Sequence, residues 1–257
     1  MVRSIGVPGA PGPKDPGRFT AQNYSLPNLI TMAYGIPHYR LSAEGLSFGM
    51  PLFDIETRMP VDTTKEQFGV MLQNLLKERF GLKVHWETRQ LPMYDLVVAK
   101  NGPKLQEAEP DPPDPEGAQR RDPSWRMHLG PNGYPALPPG KSSTMAIMNG
   151  KGAMRGHLET AEQIAAKLSG QMGSPVNDAT GLKGKYDYTV YWSAMSGRTA
   201  AAVPPGPDGA VRPPSEEDAG LPLTAAIQEQ LGLKLESRKG PVEVLVVDHV
   251  DTKPTEN

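Results

Sequence analysis

Hydrophobic residues recur along this chain in two rhythms. Between Thr64 and Gly81, Phe68, Met71, Leu72, Leu75, Leu76 and Phe80 follow the i, i+3, i+4, i+7, i+8, i+12 spacing of an amphipathic helix. Thr64 with Gln67 three residues later makes a capping box, and Gly81 suits the left-handed position that ends a helix. Leu223, Ala226, Ile227, Gln230 and Leu231 run up to Gly232 in the same way. Two more helices are predicted upstream. One is capped by Ser25 and carries Leu26, Leu29, Ile30 and Ala33; the other opens on a Thr160/Gln163 box before Ile164, Ala165 and Leu168. The second rhythm is that of strands: Tyr94 to Val98 and Val242 to Val247 each offer one wet and one dry face.

These elements repeat in order. Gly81-Leu82-Lys83-Val84-His85-Trp86-Glu87-Thr88-Arg89 aligns with Gly232-Leu233-Lys234-Leu235-Glu236-Ser237-Arg238, and each continues through a proline (Pro92, Pro241) to Leu-Val-Val. Upstream, Gly17-Arg18-Phe19 and Gly156-His157-Leu158 each enter a strand before a capped helix. Gly45-Leu46 matches Gly181-Leu182, and Phe53-Asp54-Ile55 matches Tyr186-Asp187-Tyr188. The expected fold is α+β: a tandem duplication of a β-α-β-β-α-β-β unit, helices packed on small mixed or antiparallel sheets, each copy closing in a hairpin. A helix of this length is marginal alone in water, whereas each large side chain it buries on a sheet contributes roughly 1.5–3 kcal/mol.

Proline placement sets the expected boundaries. Of 28 prolines, four precede residue 17, ten lie from Pro103 to Pro139 and six from Pro204 to Pro222. We therefore expect a disordered segment at 1–16, a first unit at 17–102 and a Pro-rich linker at 103–151. A second unit at 152–252, interrupted by a Pro-rich loop at 196–220, and a tail at 253–257 complete the chain.

Charge and composition then narrow the chemistry. A net charge of −2 over 257 residues gives no electrostatic footprint for nucleic acid. The absence of cysteine removes disulfides, thiolate nucleophiles and Cys-ligated metals. No apolar run approaches the length of a membrane span, and Met1 to Gly17 has no apolar core of a signal peptide, so either the protein is cytosolic or its natural start lies upstream, and the second is what the family resemblance below implies.

The candidate binding residues are Asp54, His85, Glu87, Arg89, Asp178, Asp187, Glu236 and Arg238. His85 and Glu87 share a strand face but lack a third metal ligand, so no metal and no cofactor is expected. Glu87 or Glu236 pairing with Arg89 or Arg238 across the hairpin is the favoured reading of those four. In Asp178-Ala179-Thr180-Gly181-Leu182, Asp and Thr are expected to bind local backbone while Gly181 and Gly184 take unusual dihedrals. Gly140-Lys141-Ser142 lacks the remaining glycine of a phosphate loop, and no Gly-x-Ser-x-Gly elbow occurs. Asp54 and Asp187 hold equivalent positions after an aromatic; a shared structural task outweighs a paired-carboxylate site.

The segments GRFTAQNYSLPNLITMAYGI, FDIETRMP, MLQNLLKERFGLKVHWETRQLPMYDLVVAKNGPKL, PVNDATGLKGKYDYTV and AAIQEQLGLKLESRKGPVEVLVVDHVDTKPTEN resemble a family of soil-associated proteins from acidobacteria-type soil bacteria. The resemblance implies a secreted or periplasmic protein, with Val2-Arg3-Ser4-Ile5 the remnant of a first strand, and relates it to sensor domains of membrane zinc peptidases. Each half also resembles the short N-terminal module of secretins and TonB-dependent receptors, which implies protein docking. The expected function is therefore a non-catalytic, extracytoplasmic docking module that takes another envelope protein by strand addition. The alternatives are a hydrolase with a carboxylate site between the units, and a ligand-sensing ectodomain.

Overall fold

A computed structural model describes residues 17–44, 46, 51–109, 125–194 and 220–255. The segments expected to be disordered or looped at 1–16 and 196–219, and Gly45, lie outside them.

The predicted helices form where their caps stand. α1 (Leu26–Tyr34) starts at Ser25, whose Oγ accepts the Asn28 N–H, and ends at Gly35 with φ +63°. α2 (Lys65–Phe80) opens on both bonds of the Thr64/Gln67 box, at 2.8 and 3.2 Å, and closes at Gly81 with φ +57°. α3 (Ala161–Met172) follows the Thr160/Gln163 box. The last helix, α4 (Leu223–Ala226), widens into a π turn over Ile227–Leu231 before Gly232. Widening the turn lets Gln230 leave the apolar stripe and clamp the main chain of Tyr191, donating to its C=O at 2.8 Å and accepting its N–H at 3.0 Å.

The strands are β1 (Arg18–Tyr24), β2 (Leu41–Ser42), β3 (Phe53–Arg58), β4 (Lys83–Val98), β5 (Gln106–Glu107), β6 (Thr144–Met148), β7 (Lys151–Glu159), β8 (Val176–Asp178), β9 (Tyr186–Ser193) and β10 (Leu233–His249). They form sheets β1-β3, β2-β10-β4-β8 and β5-β9-β7-β6. The fold is α+β, with helices on antiparallel and mixed sheets.

Two features depart from the sequence reading. The expected hairpins are single long strands, β4 and β10, because a tight hairpin needs positive φ at its turn and no residue of either strand has it. The stretch expected to be a linker supplies β5 and β6 to a sheet.

The chain divides into two compact units. Unit 1 comprises 1–92, 173–175 and 239–257, and unit 2 comprises 93–172 and 176–238, so β4 and β10 each change unit part-way.

In unit 1, β1 runs antiparallel to β3 from Arg18↔Arg58 to Ala21↔Ile55, then shifts to Tyr24↔Phe53. β2 lies parallel to β10, Leu41 against Leu245. Leu26, Leu29, Ile30, Leu72, Leu76, Phe80 and Leu245 form the main core, and Phe19, Ala21 and Met59 a second.

In unit 2, β7 runs antiparallel to β9 through Arg155↔Thr189 and Gly156↔Tyr188, then shifts to Glu159↔Tyr186. β6 pairs with the other edge of β7, and β8 lies parallel to β4. Leu96, Met154, Ile164, Leu168, Val190, Trp192, Ile227 and Leu233 fill the core. The register also corrects one alignment. Gly17 accepts the Met59 N–H at the end of β1, the place Gly152 holds opposite Trp192, so Gly156 is the counterpart of Ala21 rather than of Gly17.

Candidate docking edge

The sequence-predicted site residues do individual jobs. Asp54 Oδ1 accepts the N–H of Asn23 at 2.8 Å. Asp187 Oδ1 accepts the N–H of Leu158 at 2.9 Å and meets His157 Nδ1 at 2.8 Å. Asn23 and Leu158 sit at the two strand bulges with φ +58° and +52°, so the matched aspartates hold matched bulges. Asp178 accepts the Thr180 N–H and hydroxyl at 2.9 and 2.7 Å, and Thr180 Oγ1 accepts the Leu182 N–H, closing a turn at Gly181. Gly184 keeps an ordinary φ; its missing Cβ leaves room for the Tyr186 hydroxyl.

The acids and bases of the long strands pair partly within one strand and partly between β4 and β10. Arg89 donates to Glu87 on its own strand at 2.9 Å and to Ser42 at 2.8 Å, and its guanidinium holds the Glu87 carboxyl below the usual range. Arg238 pairs with Asp95 at 2.7 Å, whereas Glu236 takes Lys234 at 2.9 Å. His85 meets Asp248 at 2.8 Å. Among the described residues no three His, Asp or Glu side chains approach closely enough to hold a metal ion.

Sequence reasoning missed a buried acid. Glu159, 5% exposed, accepts from Lys167, Ser143 and the Tyr188 hydroxyl. Burial, with the Glu159 carboxylate alongside, pushes the Tyr188 phenol far above its ordinary value. The signal was present: a glutamate sits just before a helix cap, where the first half has Tyr24.

What distinguishes the units is how their sheet edges end. Along an antiparallel strand, alternate residues present both N–H and C=O to the same side. On the outer edge of β9, Lys185 C=O accepts the Ala108 N–H, Asp187 faces Gln106 of β5, Tyr191 is clamped by Gln230, and Ser193 N–H donates to Leu221. Leu105, next to β5, packs into the unit 2 core.

On β3 the corresponding residues are Asp54, Glu56 and Arg58, and among the described residues no strand pairs with that edge. Beside it a small apolar hollow of about 60 Å³ is lined by Phe19, Ile55, Thr57, Met59, Phe68, Met71, Leu72 and Leu75. Met71, expected in the buried stripe, is 39% exposed, and its neighbour Val70 is 54% exposed. Leu52 and Val61, flanking β3, are exposed as well. A two-stranded sheet is marginal by itself, and this one carries an open edge with apolar side chains next to it.

The family model of a protein of unknown function, DUF3738, matches residues 27–250. The chain belongs to that family. No curated protein and no solved structure matches it. For this family member the match spans α1, α2, α3 and both long strands, so the open β3 edge and its closed counterpart on β9 both fall within the family's extent. No helix among the described residues is long and apolar enough to cross a membrane.

Proposed function

We propose that this protein is a non-catalytic docking module that takes an extended partner segment onto the outer edge of β3. One observation carries the reading: β9 has its edge covered by β5, by the Gln230 amide and by Leu221, while no segment covers the backbone groups of Asp54, Glu56 and Arg58 of β3 among the described residues, the Arg58 C=O taking only the hydroxyl of its neighbour Thr57 at 3.4 Å. Unit 2 also supplies the template for the occupant. There an extended segment lays Gln106 and Glu107 on the strand and sends the preceding Leu105 into the core. The partner is accordingly an extended stretch with an apolar residue opposite Ile55, seated between β3 and the flank of α2 that carries the exposed Met71 and the half-buried Leu75. Resemblance to secretin and TonB-receptor modules supports the mode, and resemblance to soil-associated proteins supports an extracytoplasmic setting with an envelope protein as partner.

The test is hydrogen exchange on the full chain with a synthetic peptide of the sequence of residues 103–109. Protection of the Asp54, Glu56 and Arg58 amides on adding peptide, and about tenfold weaker binding in Met71→Glu, are expected. Binding that leaves β3 amides unprotected overturns the reading. So does protection already present in the free chain and lost on deleting residues 1–16 or on dilution, since the occupant is then the chain itself or a second copy.

A further inference from the structure

The closed edge of β9 in unit 2 has one opening. Lys185, Asp187, Tyr191 and Ser193 all present their backbone groups to the outer side and all are met, by Ala108, Gln106, Gln230 and Leu221 respectively. The same alternation turns the N–H and C=O of Thr189 to that side, between Gln106 and Gln230. Among the described residues no segment pairs with them there, and a cavity of about 380 Å³ has Thr189, Gln106 and Gln230 in its lining.

The charge around this opening is lopsided. Lys104 and Arg155 line the cavity, and the carboxylate in its lining is that of Asp187. Asp187 is already engaged by His157 Nδ1 and the Leu158 N–H. Lys104 Nζ donates to the Glu229 carbonyl at 2.6 Å, and Arg155 donates to the carbonyls of Pro138 and Ser142 at 2.8 and 3.2 Å. Carbonyls fix the direction of these cations without neutralising them, and neither meets a carboxylate among the described residues. A guanidinium held in one orientation by carbonyls keeps N–H groups for an incoming oxyanion, the geometry in which arginine selects carboxylates.

We propose that this cavity binds a short acylated peptide end bearing a free carboxylate. One residue of the ligand pairs with Thr189, its C=O accepting the Thr189 N–H and its N–H donating to the Thr189 C=O, so that the gap in the β9 ladder is filled. The carboxylate then meets Lys104 and Arg155. The volume falls at the lower end of the range for small-ligand sites and suits one or two residues. This site lies entirely within unit 2 and stands apart from the β3 edge.

Titration calorimetry of the full chain tests it with three probes: N-acetyl-dialanine, the same compound with an amidated end, and a nonapeptide ending in the same two residues with a free carboxylate. The free acid binds and the amide binds at least about tenfold more weakly, with affinity falling as salt rises. Equal affinity of nonapeptide and dipeptide identifies a protein tail as the source, and exclusion of the nonapeptide identifies a free small peptide. Lys104→Gln weakens the acid about tenfold and leaves the amide unchanged. Arg155→Gln does the same; because it also releases Pro138 and Ser142, its melting temperature is measured alongside. Equal binding of acid and amide, no heat at millimolar acid, or binding indifferent to Lys104→Gln overturns the proposal.

Discussion

Asp54 accepts the backbone N–H of Asn23 across the β1–β3 pair at 2.8 Å, and that bond holds a left-handed residue at a strand bulge. Asn tolerates this conformation because its short polar side chain bonds locally, whereas Leu158 at the matching bulge carries a cost of roughly 1–2 kcal/mol. Leu158→Asn is therefore expected to raise the urea midpoint. Asp54→Ala is expected to lower it by the worth of one hydrogen bond, about 1 kcal/mol. Asn23→Val combines the wrong backbone preference with a branched side chain and lowers it further. Chemical denaturation of the three variants checks the order.

The Glu159 cluster yields a sharper test. Lys167→Met strips the buried carboxylate of its cation and is expected to destabilise by about 3 kcal/mol. In unit 1 the corresponding positions are Tyr24, Met32 and Ile55, all apolar packing residues. Replacing the set, Glu159→Tyr with Lys167→Met and Tyr188→Ile, is expected to recover most of that loss. Failure of the triple variant to exceed the single one in melting temperature would show that the two sites are not interchangeable.

Gly156 and Gly152 of β7 face rings of β9. A Cβ on Gly156 would overlap the Tyr188 ring, and one on Gly152 the Trp192 indole. Gly156→Ala is expected to cost on the order of 3 kcal/mol, the upper range for overpacking. Adding Tyr188→Ala relieves the overlap, so the double variant loses less than the two single losses together. A double-mutant cycle by urea titration reads this coupling.

The Arg238 guanidinium, with a smaller contribution from Asn177, holds the Asp95 carboxyl below its ordinary value. A carboxyl lowered on folding adds stability above its unfolded pKa of about 3.9, and that stability fades as pH falls through the lower folded value. Between these two values the wild type gains stability with rising pH. Arg238→Gln returns Asp95 towards the ordinary range and is expected to flatten this limb, leaving neutral pH slightly less stable. Urea midpoints over an acid pH series measure the slope.

Much of the local structure was readable from residue order. Ser25, Thr64 and Thr160 sit at helix starts and Gly35, Gly81 and Gly232 at helix ends, because capping is settled by contacts within one turn of chain. The aspartates at 54 and 187 were found as a matched pair, and their engagement with matched bulges followed only from the register. Pro92 and Pro241 look like turn residues in isolation and so point to hairpins, yet they lie within the single strands β4 and β10. The spacing puts Met71 in the apolar stripe of α2, but the stripe alone does not tell how much of it a two-stranded sheet can cover.

The order of residues by itself determined where helices begin and end, the α+β class, and which apolar faces need covering. All of these arise from interactions between near neighbours. Which backbone edges are covered and which stay open was decided by the tertiary structure alone. Hydrogen bonding along a strand edge depends on segments distant in the chain arriving in register: Gln106 at Asp187, Gln230 at Tyr191, and none at Thr189 or along β3 among the described residues. Every residue carries the same N–H and C=O, so nothing in the side-chain pattern marks the ones left without a partner.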